Sequence, residues 1–363
     1  MHTLSWIGFC QSLFAAILMF TKKQSSVADK VLSAWMMLLA IDFLSCGINY
    51  EIFKQPLLIS SFLLFNPALY LYVNALTRPD FRLKLVHLLH LLPFIFFSAF
   101  SYVLKEPVAL SVFFEKDGNY LFRLFFSVAN IISWLVYNPL SLVLVHRHRM
   151  HLRNELSNIE KNENLGWVMT VAVFYVVYCI LAVIVSVVAI MNKTDIQLSH
   201  IYNYSTLLAL VYVMSFYGLR QKTVSPRLLL KPEAIIPYKN STLTEDLKEK
   251  IQKKIVSCFE KEKIYLNPDL NMDMLSARLN VPKHQLTEVL DTTIGCNFFQ
   301  YVNHLRVEAV KEMLTNPKNK FSIEAMGYDC GFSSKSSFYT VFKNITGETP
   351  DYYRKKYFLQ KEK

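Results

Sequence analysis

The chain has 363 residues, 53% of them hydrophobic and 14% aromatic, and a formal net charge of +11. Its mean hydropathy of +0.25 is high for a soluble domain, and the basic balance selects anionic partners: nucleic acid, acidic lipid headgroups, or both. The six cysteines (Cys10, Cys46, Cys179, Cys258, Cys296 and Cys330) share no C-x-x-C spacing, which argues against a disulfide framework and a zinc site.

Seven apolar runs of spanning length occupy about 4–20, 31–49, 57–75, 86–104, 122–145, 167–191 and 201–218. Lys22 and Lys23 follow the first run rather than precede it, so it reads as a retained helix and not a signal peptide. With the N-terminus outside, the inward segments carry 14 Lys or Arg residues and the outward ones only five, Lys54, Lys105, Lys116, Arg123 and Lys193. This asymmetry predicts a multi-pass protein of the inner (cytoplasmic) membrane, with a seven-helix bundle over 1–218 and everything beyond it in the cytoplasm.

Within the bundle, Asp42 sits mid-run. It is the candidate sensor group, against the plainer alternative of a hydrogen-bonded carboxyl filling the interior. Asn66-Pro67 and Asn138-Pro139 read as kinks, and Tyr70 and Tyr72 as interfacial anchors. The loop "HRHRMHLRNELSNIEKNEN" brings His146, His148 and His151 close together. No thiolate or carboxylate completes a ligand set, and the arginines repel a cation, so the segment reads as a solvated basic stretch facing headgroups. No HExxH, GxSxG or paired intramembrane His/Asp set appears, so neither an enzyme, a cofactor nor a metal is expected.

Residues 219–241, with Pro226, Pro232 and Pro237, read as a stiffened linker. The remainder, 242–363, holds 19 basic and 16 acidic residues and has helical periodicity throughout. "TLTE" suggests a capping box with Thr242 as cap. Asn271 caps a short helix, "NVP" turns the chain, and a second helix carries Leu286, Val289 and Leu290 inward. A longer helix, 297–314, leads to a repeat of the pattern: Ser322 caps "IEAMGYDC", Gly331 turns, and Ser333 caps the last helix. Helix, tight turn, helix, twice over, is a pair of helix-turn-helix units joined by a central helix. The short polar side chains at the start of the last helix suit approach to base edges.

These residues resemble a known family. "SIEAMGYDCGFSSKSSFYTVFKNITGETPDYYR" looks like the second half of the AraC-type (AraC/XylS-like) DNA-binding domain: Gly331-Phe332, the serine-rich turn 333–337, Phe338, Phe342-Lys343, Thr346-Gly347, Thr349-Pro350 and Tyr353-Arg354. "NPALYLYVNAL", "HLLPF" and "LSNIEKNENLGWV" resemble the seven-helix membrane sensors fused to such domains.

The resemblance implies an all-α, membrane-embedded transcription regulator whose two recognition helices enter successive major grooves of double-stranded DNA. Lys283, His284, Thr287, Glu288 and Asp291 would face the first groove. Lys335, Ser336, Tyr339 and Thr340 would face the second, with Ser334 and Lys343 on phosphate. Pro282 stands where the family has a capping serine, and the near-balanced charge implies modest non-specific affinity and a dependence on homodimers or local concentration. The implied partners are DNA, the bilayer, and an unknown signal ligand or membrane partner. The alternative is a receptor or transporter whose C-terminal domain binds protein.

Overall fold

The computed structural model describes residues 2–23, 25–54, 57–78, 80–107, 115–159, 164–191, 197–221 and 243–361. Among the described residues there are helices and no strand, and extended pairing is confined to two isolated bridges, Leu57 with Pro107 and Leu156 with Asn271. The chain divides into two compact units, Met1–Arg147 with Leu165–Lys231, and His148–Asn164 with Pro232–Lys363. Segment 148–164, which falls within the expected N-terminal domain 1–218, is grouped with the C-terminal residues. The expected linker, 219–241, lies mostly outside the described residues.

In the first unit the helices are α1 (His2–Phe20), α2 (Val27–Phe53), α3 (Phe62–Thr77), a 3-10 turn (Leu85–Leu91) running into α4 (Leu92–Leu104), α5 (Tyr120–Glu155) as far as Arg147, α6 (Gly166–Met191) and α7 (Gln197–Arg220). Each apolar run is helical over most of its length, the third only from Phe62. Among the described residues, four stretches are long and apolar enough to cross a membrane: His2–Phe20, Val27–Phe53, Leu85–Leu104 and Tyr120–Glu155. Seven spans were expected. The third run forms a helix of 16 residues, about 24 Å at 1.5 Å per residue against a hydrocarbon core of about 30 Å. The last run, in α7, is diluted by Tyr202, Asn203, Tyr204, Ser205 and Thr206.

Local chemistry sets the helix ends. Ser26 begins α2 with a reciprocal capping box: its Oγ accepts from the Asp29 amide (3.1 Å), and Asp29 Oδ2 accepts from the Ser26 amide (2.8 Å). Gly8 lets α1 and α2 close, since a Cβ there would lie 2.2 Å from the Phe43 ring. The core is aromatic, with Trp35 against Phe65 (ring centroids 4.9 Å apart) and Phe65 against Tyr175 (4.5 Å). Tyr72, expected as an interfacial anchor, is instead buried and packs on Trp167. The outward faces carry Phe14, Ile17, Ile41, Phe125, Ile131 and Leu135, all exposed. Asp42 is buried and accepts a hydrogen bond from Ser61.

The second unit contains α8 (Glu245–Glu262), a 3-10 turn (Ile264–Leu266), α9 (Met272–Leu279), α10 (Lys283–Val289) widening into a π turn (Leu290–Ile294), α11 (Phe298–Thr315), α12 (Ile323–Asp329), α13 (Lys335–Thr346) and α14 (Pro350–Lys361). Thr244 caps α8, its Oγ1 accepting from the Leu247 amide; Thr242, the expected cap, lies outside the described residues. Two apolar cores result. Ile251, Ile255, Phe259, Met272, Leu275, Leu286, Val289, Phe298 and Val302 form one. Val307, Val310, Leu314, Met326, Phe332, Phe338, Val341 and Phe342 form the other. The central helix α11 lends its first half to one core and its second half to the other. His148, expected in a solvated loop, is buried.

Candidate nucleic-acid interface

Each core supports one helix-turn-helix. In the first, Asn271 caps α9 by accepting from the Met274 amide (3.0 Å), and Asn280 ends it in the left-handed region at φ 49°. The turn Asn280–Pro282 leads to α10, whose first amides receive no side-chain cap because Pro282 has no oxygen to offer. In the second unit, Ser322 caps α12 through the Ala325 amide (3.1 Å). Gly331 turns the chain at φ 91°, where a Cβ would sit 2.5 Å from the Tyr265 carbonyl oxygen. Gly327 lies under Phe338, a Cβ there falling 2.6 Å from the ring, so α12 and α13 cross at close range.

Ser334, not Ser333, caps α13, its Oγ accepting from the Ser337 amide at 3.2 Å. Gly347 ends the helix at φ 81°. Phe338, Val341 and Phe342 are buried, each contributing about 1.5–3 kcal/mol of apolar transfer. That inward stripe leaves the opposite face free.

The sequence-derived candidates divide sharply. On α13, Ser334, Lys335, Ser336, Thr340 and Lys343 are exposed and Tyr339 is half-buried. Positions 336, 340 and 343, and 335 and 339, follow the i, i+3/i+4 rule and form one polar face. Lys335 pairs with Glu324 and stands 5.7 Å from the Tyr339 ring centre. The hydrogen bond to Glu324 raises the Lys335 ammonium above its ordinary range, so it is charged at neutral pH. The Thr340 hydroxyl donates to the Ser336 carbonyl (2.7 Å).

On α10 only His284 is fully exposed among the five candidates. Thr287 and Asp291 are half-buried, and the Thr287 hydroxyl is turned back to the Lys283 carbonyl (3.0 Å). Glu288 is buried with Lys248 of α8 at 3.7 Å, so it points into the unit and away from the outer face expected of it. Lys283 is held by two carboxylates, Glu155 at 2.8 Å and Asp273 at 2.7 Å. Burial opposes its charge, but the hydrogen bonds it donates to Asp273 and Glu155 together outweigh burial and raise its ammonium above the ordinary lysine range.

Two polar residues of α11 escaped the sequence reading. Asn303 and Arg306 are 1% and 0% exposed, on the buried side of the central helix. Arg306 donates from Nε to the Tyr265 carbonyl (2.7 Å), from Nη2 to the Asn267 carbonyl (2.8 Å), and from both terminal nitrogens to Ser157. Burial pushes its guanidinium down to about 10, still charged at neutral pH. A lone arginine in an apolar periodicity was the available signal; its partners, distant in sequence, were not.

Parts of the chain are similar to known proteins. A relative described as an uncharacterized HTH-type transcriptional regulator, from Staphylococcus aureus (strain COL), is 30% identical over 91 residues; the match spans 25% of this chain and 12% of that protein. A solved structure of a protein of unknown function from Listeria innocua aligns at 26% identity with a TM-score of 0.26, over 29% of this chain and 95% of that one. Residues 275–356, the segment that holds α10 through most of α14, match the helix-turn-helix domain family: the C-terminal part of the chain is a helix-turn-helix domain.

Proposed function

We propose that the chain is a membrane-embedded, one-component transcription regulator of the AraC type, in which a signal received by the N-terminal helices modulates DNA binding by the paired helix-turn-helix units. The observation that carries this reading is α13: a Ser334-capped helix with buried Phe338, Val341 and Phe342 behind it and Ser336, Thr340 and Lys343 exposed in front. Lysine neutralises phosphate, and short hydroxyl side chains reach base edges. The α10 face offers less, since Glu288 is buried and Lys283 is engaged. In this reading α13 therefore contributes more of the sequence discrimination than α10.

The membrane part of the proposal is supported by the four helical stretches of spanning length and apolarity among the described residues and by their exposed apolar faces. The Lys and Arg asymmetry of the loops orients the chain with its N-terminus outside and its C-terminal domain in the cytoplasm. Asp42, a buried carboxyl held by Ser61, is the group we assign to signal reception. The test is selection of duplexes from a random pool by the full chain in lipid nanodiscs. Enrichment of one motif with half-sites about 10 base pairs apart is expected. A pool that stays random contradicts DNA reading and favours a protein-binding appendage.

A further inference from the structure

The last turns of α5, from His148, and the residues that follow them belong to the helix-turn-helix unit. The chain leaves α5 at Glu155 and runs as a short extended strap. Leu156 forms an antiparallel bridge with Asn271. The Ser157 amide donates to the Leu270 carbonyl (3.3 Å), and its Oγ donates to the same oxygen (2.5 Å). Asn158 Nδ2 donates to the Pro268 carbonyl (2.7 Å) and to the Gly331 carbonyl (2.9 Å). In return, Asn303 Nδ2 and Arg306 Nη1 donate to the Ser157 carbonyl (2.9 and 3.0 Å), and Arg306 Nη2 donates to Ser157 Oγ (3.0 Å).

These contacts fall on three separate parts of the unit. Pro268 and Leu270 precede α9 of the first helix-turn-helix. Asn303 and Arg306 lie on the central helix. Gly331 is the turn of the second helix-turn-helix. Two strap residues thus bridge both DNA-facing modules and the helix that joins them. Directly before them, Glu155 holds the Lys283 ammonium at the start of α10. Arg306 favours the docked strap: with the strap withdrawn, the buried guanidinium would keep the Tyr265 and Asn267 carbonyls but lose both Ser157 acceptors, and a buried charge short of acceptors is disfavoured.

We infer that Glu155–Asn158 is an intramolecular ligand that locks the helix-turn-helix unit, fixing the spacing of its two modules and keeping Lys283 from an anionic partner. The lock is covalently continuous with α5, one of the helices long and apolar enough to span a membrane. A displacement of that helix along its axis therefore pulls directly on the strap, and no separate relay is required. The lock is inhibitory in part, because Glu155 shares with Asp273 of α9 the hold on a lysine that duplex binding would use.

The spacing arm of the test needs no DNA. Spin labels at His284→Cys and Ser336→Cys, both exposed positions, are placed in the full chain in nanodiscs after the six native cysteines are replaced by alanine. Pulsed dipolar spectroscopy should give one narrow distance in the unaltered strap and a broadened or shifted distribution with Ser157→Gly plus Asn158→Ala. The same distribution in both overturns the lock. Hydrogen exchange of the Ser157 amide in the native chain provides an independent check: slow exchange is expected, and exchange at the rate of a free peptide overturns the docking.

The second arm rests on the DNA-reading proposal. With a duplex selected by the full chain, Glu155→Gln should tighten binding about tenfold, and that gain should vanish in a Lys283→Gln background. A gain that survives in that background is a general charge effect and overturns the lysine part of the lock. Failure of every form to bind any duplex contradicts DNA reading itself, while the spin-label distances still judge the strap.

Discussion

Arg306 and Ser157 lie 149 residues apart and meet through two hydrogen bonds of 3.0 Å, from Nη1 to the Ser157 carbonyl and from Nη2 to its hydroxyl. The same guanidinium reaches the Tyr265 and Asn267 carbonyls. Its planar fork thus ties a segment that follows α5, the turn before α9, and the central helix.

Arg306→Ala should therefore be among the most damaging substitutions in the second unit. Hydrogen bonds to charged groups are worth about 1.5–3 kcal/mol each, and truncation strands buried carbonyl acceptors. We expect a loss of about 3–5 kcal/mol, read as faster hydrogen exchange across α9, α11 and the 3-10 turn before α9. Arg306→Lys should recover only part of this, because an ammonium cannot reproduce the fork. Exchange in Arg306→Ala that matches the unaltered chain contradicts the assigned role.

Gly331→Ala tests the second turn. The residue sits at φ 91°, and a Cβ would stand 2.5 Å from the Tyr265 oxygen and 2.8 Å from the Leu266 oxygen. The left-handed conformation alone costs about 1–2 kcal/mol for an L side chain, and the overlap is with backbone that cannot swing aside. A loss above about 2 kcal/mol is expected by denaturant unfolding of the full chain followed through labels in α13. Gly347→Ala, with φ 81° and nothing near its would-be Cβ, should show the conformational cost only.

Ser334 and Ser333 separate a cap from its neighbour. Ser334→Ala removes the acceptor for the Ser337 amide and should cost about 1 kcal/mol. Ser333→Ala should fall within about 0.5 kcal/mol, the range of ordinary surface changes. Equal losses at the two positions would show that α13 starts elsewhere.

Cys330 supplies a pH-dependent observable. Burial, reinforced by Asp329, pushes its thiol up to about 12 from the usual 9.0. For an acid raised in the fold, the protonated form is the one the fold favours. That contribution is complete below pH 9 and is lost as pH climbs toward 12. At pH 8 the native chain should resist alkylation at Cys330 and react there only after unfolding, as peptide mass spectrometry would report. Rapid native labelling at pH 8 would contradict the burial.

The features legible in the sequence were those governed by neighbours along the chain. Asn271 and Ser322 cap helices where short polar residues precede apolar periodicity, and the described geometry agrees. The inward stripes of α11 and α13 follow the same local rule. What escaped depends on distant partners. Glu288 belongs by spacing to an outer face, yet Lys248, on another helix, draws it inward. Arg306 and Asn303 sit in an apolar stripe because Ser157, a residue of what read as a loop, supplies their acceptors. The apolar runs were visible, but their helix ends were not: α3 stops at 16 residues, and composition does not fix where a helix ends.

The most direct measurement of the central claim is a genome-wide crosslinking map of the intact chain in cells that express it, made alongside a variant with Ser336→Ala and Lys343→Ala. Both positions are exposed on α13. A lost base contact costs about 1–3 kcal/mol, and a lost phosphate contact weakens binding at every sequence. Discrete, reproducible sites that share one motif and fade in the variant are expected. A map without discrete sites, or one that the α13 variant leaves unchanged, would contradict the claim.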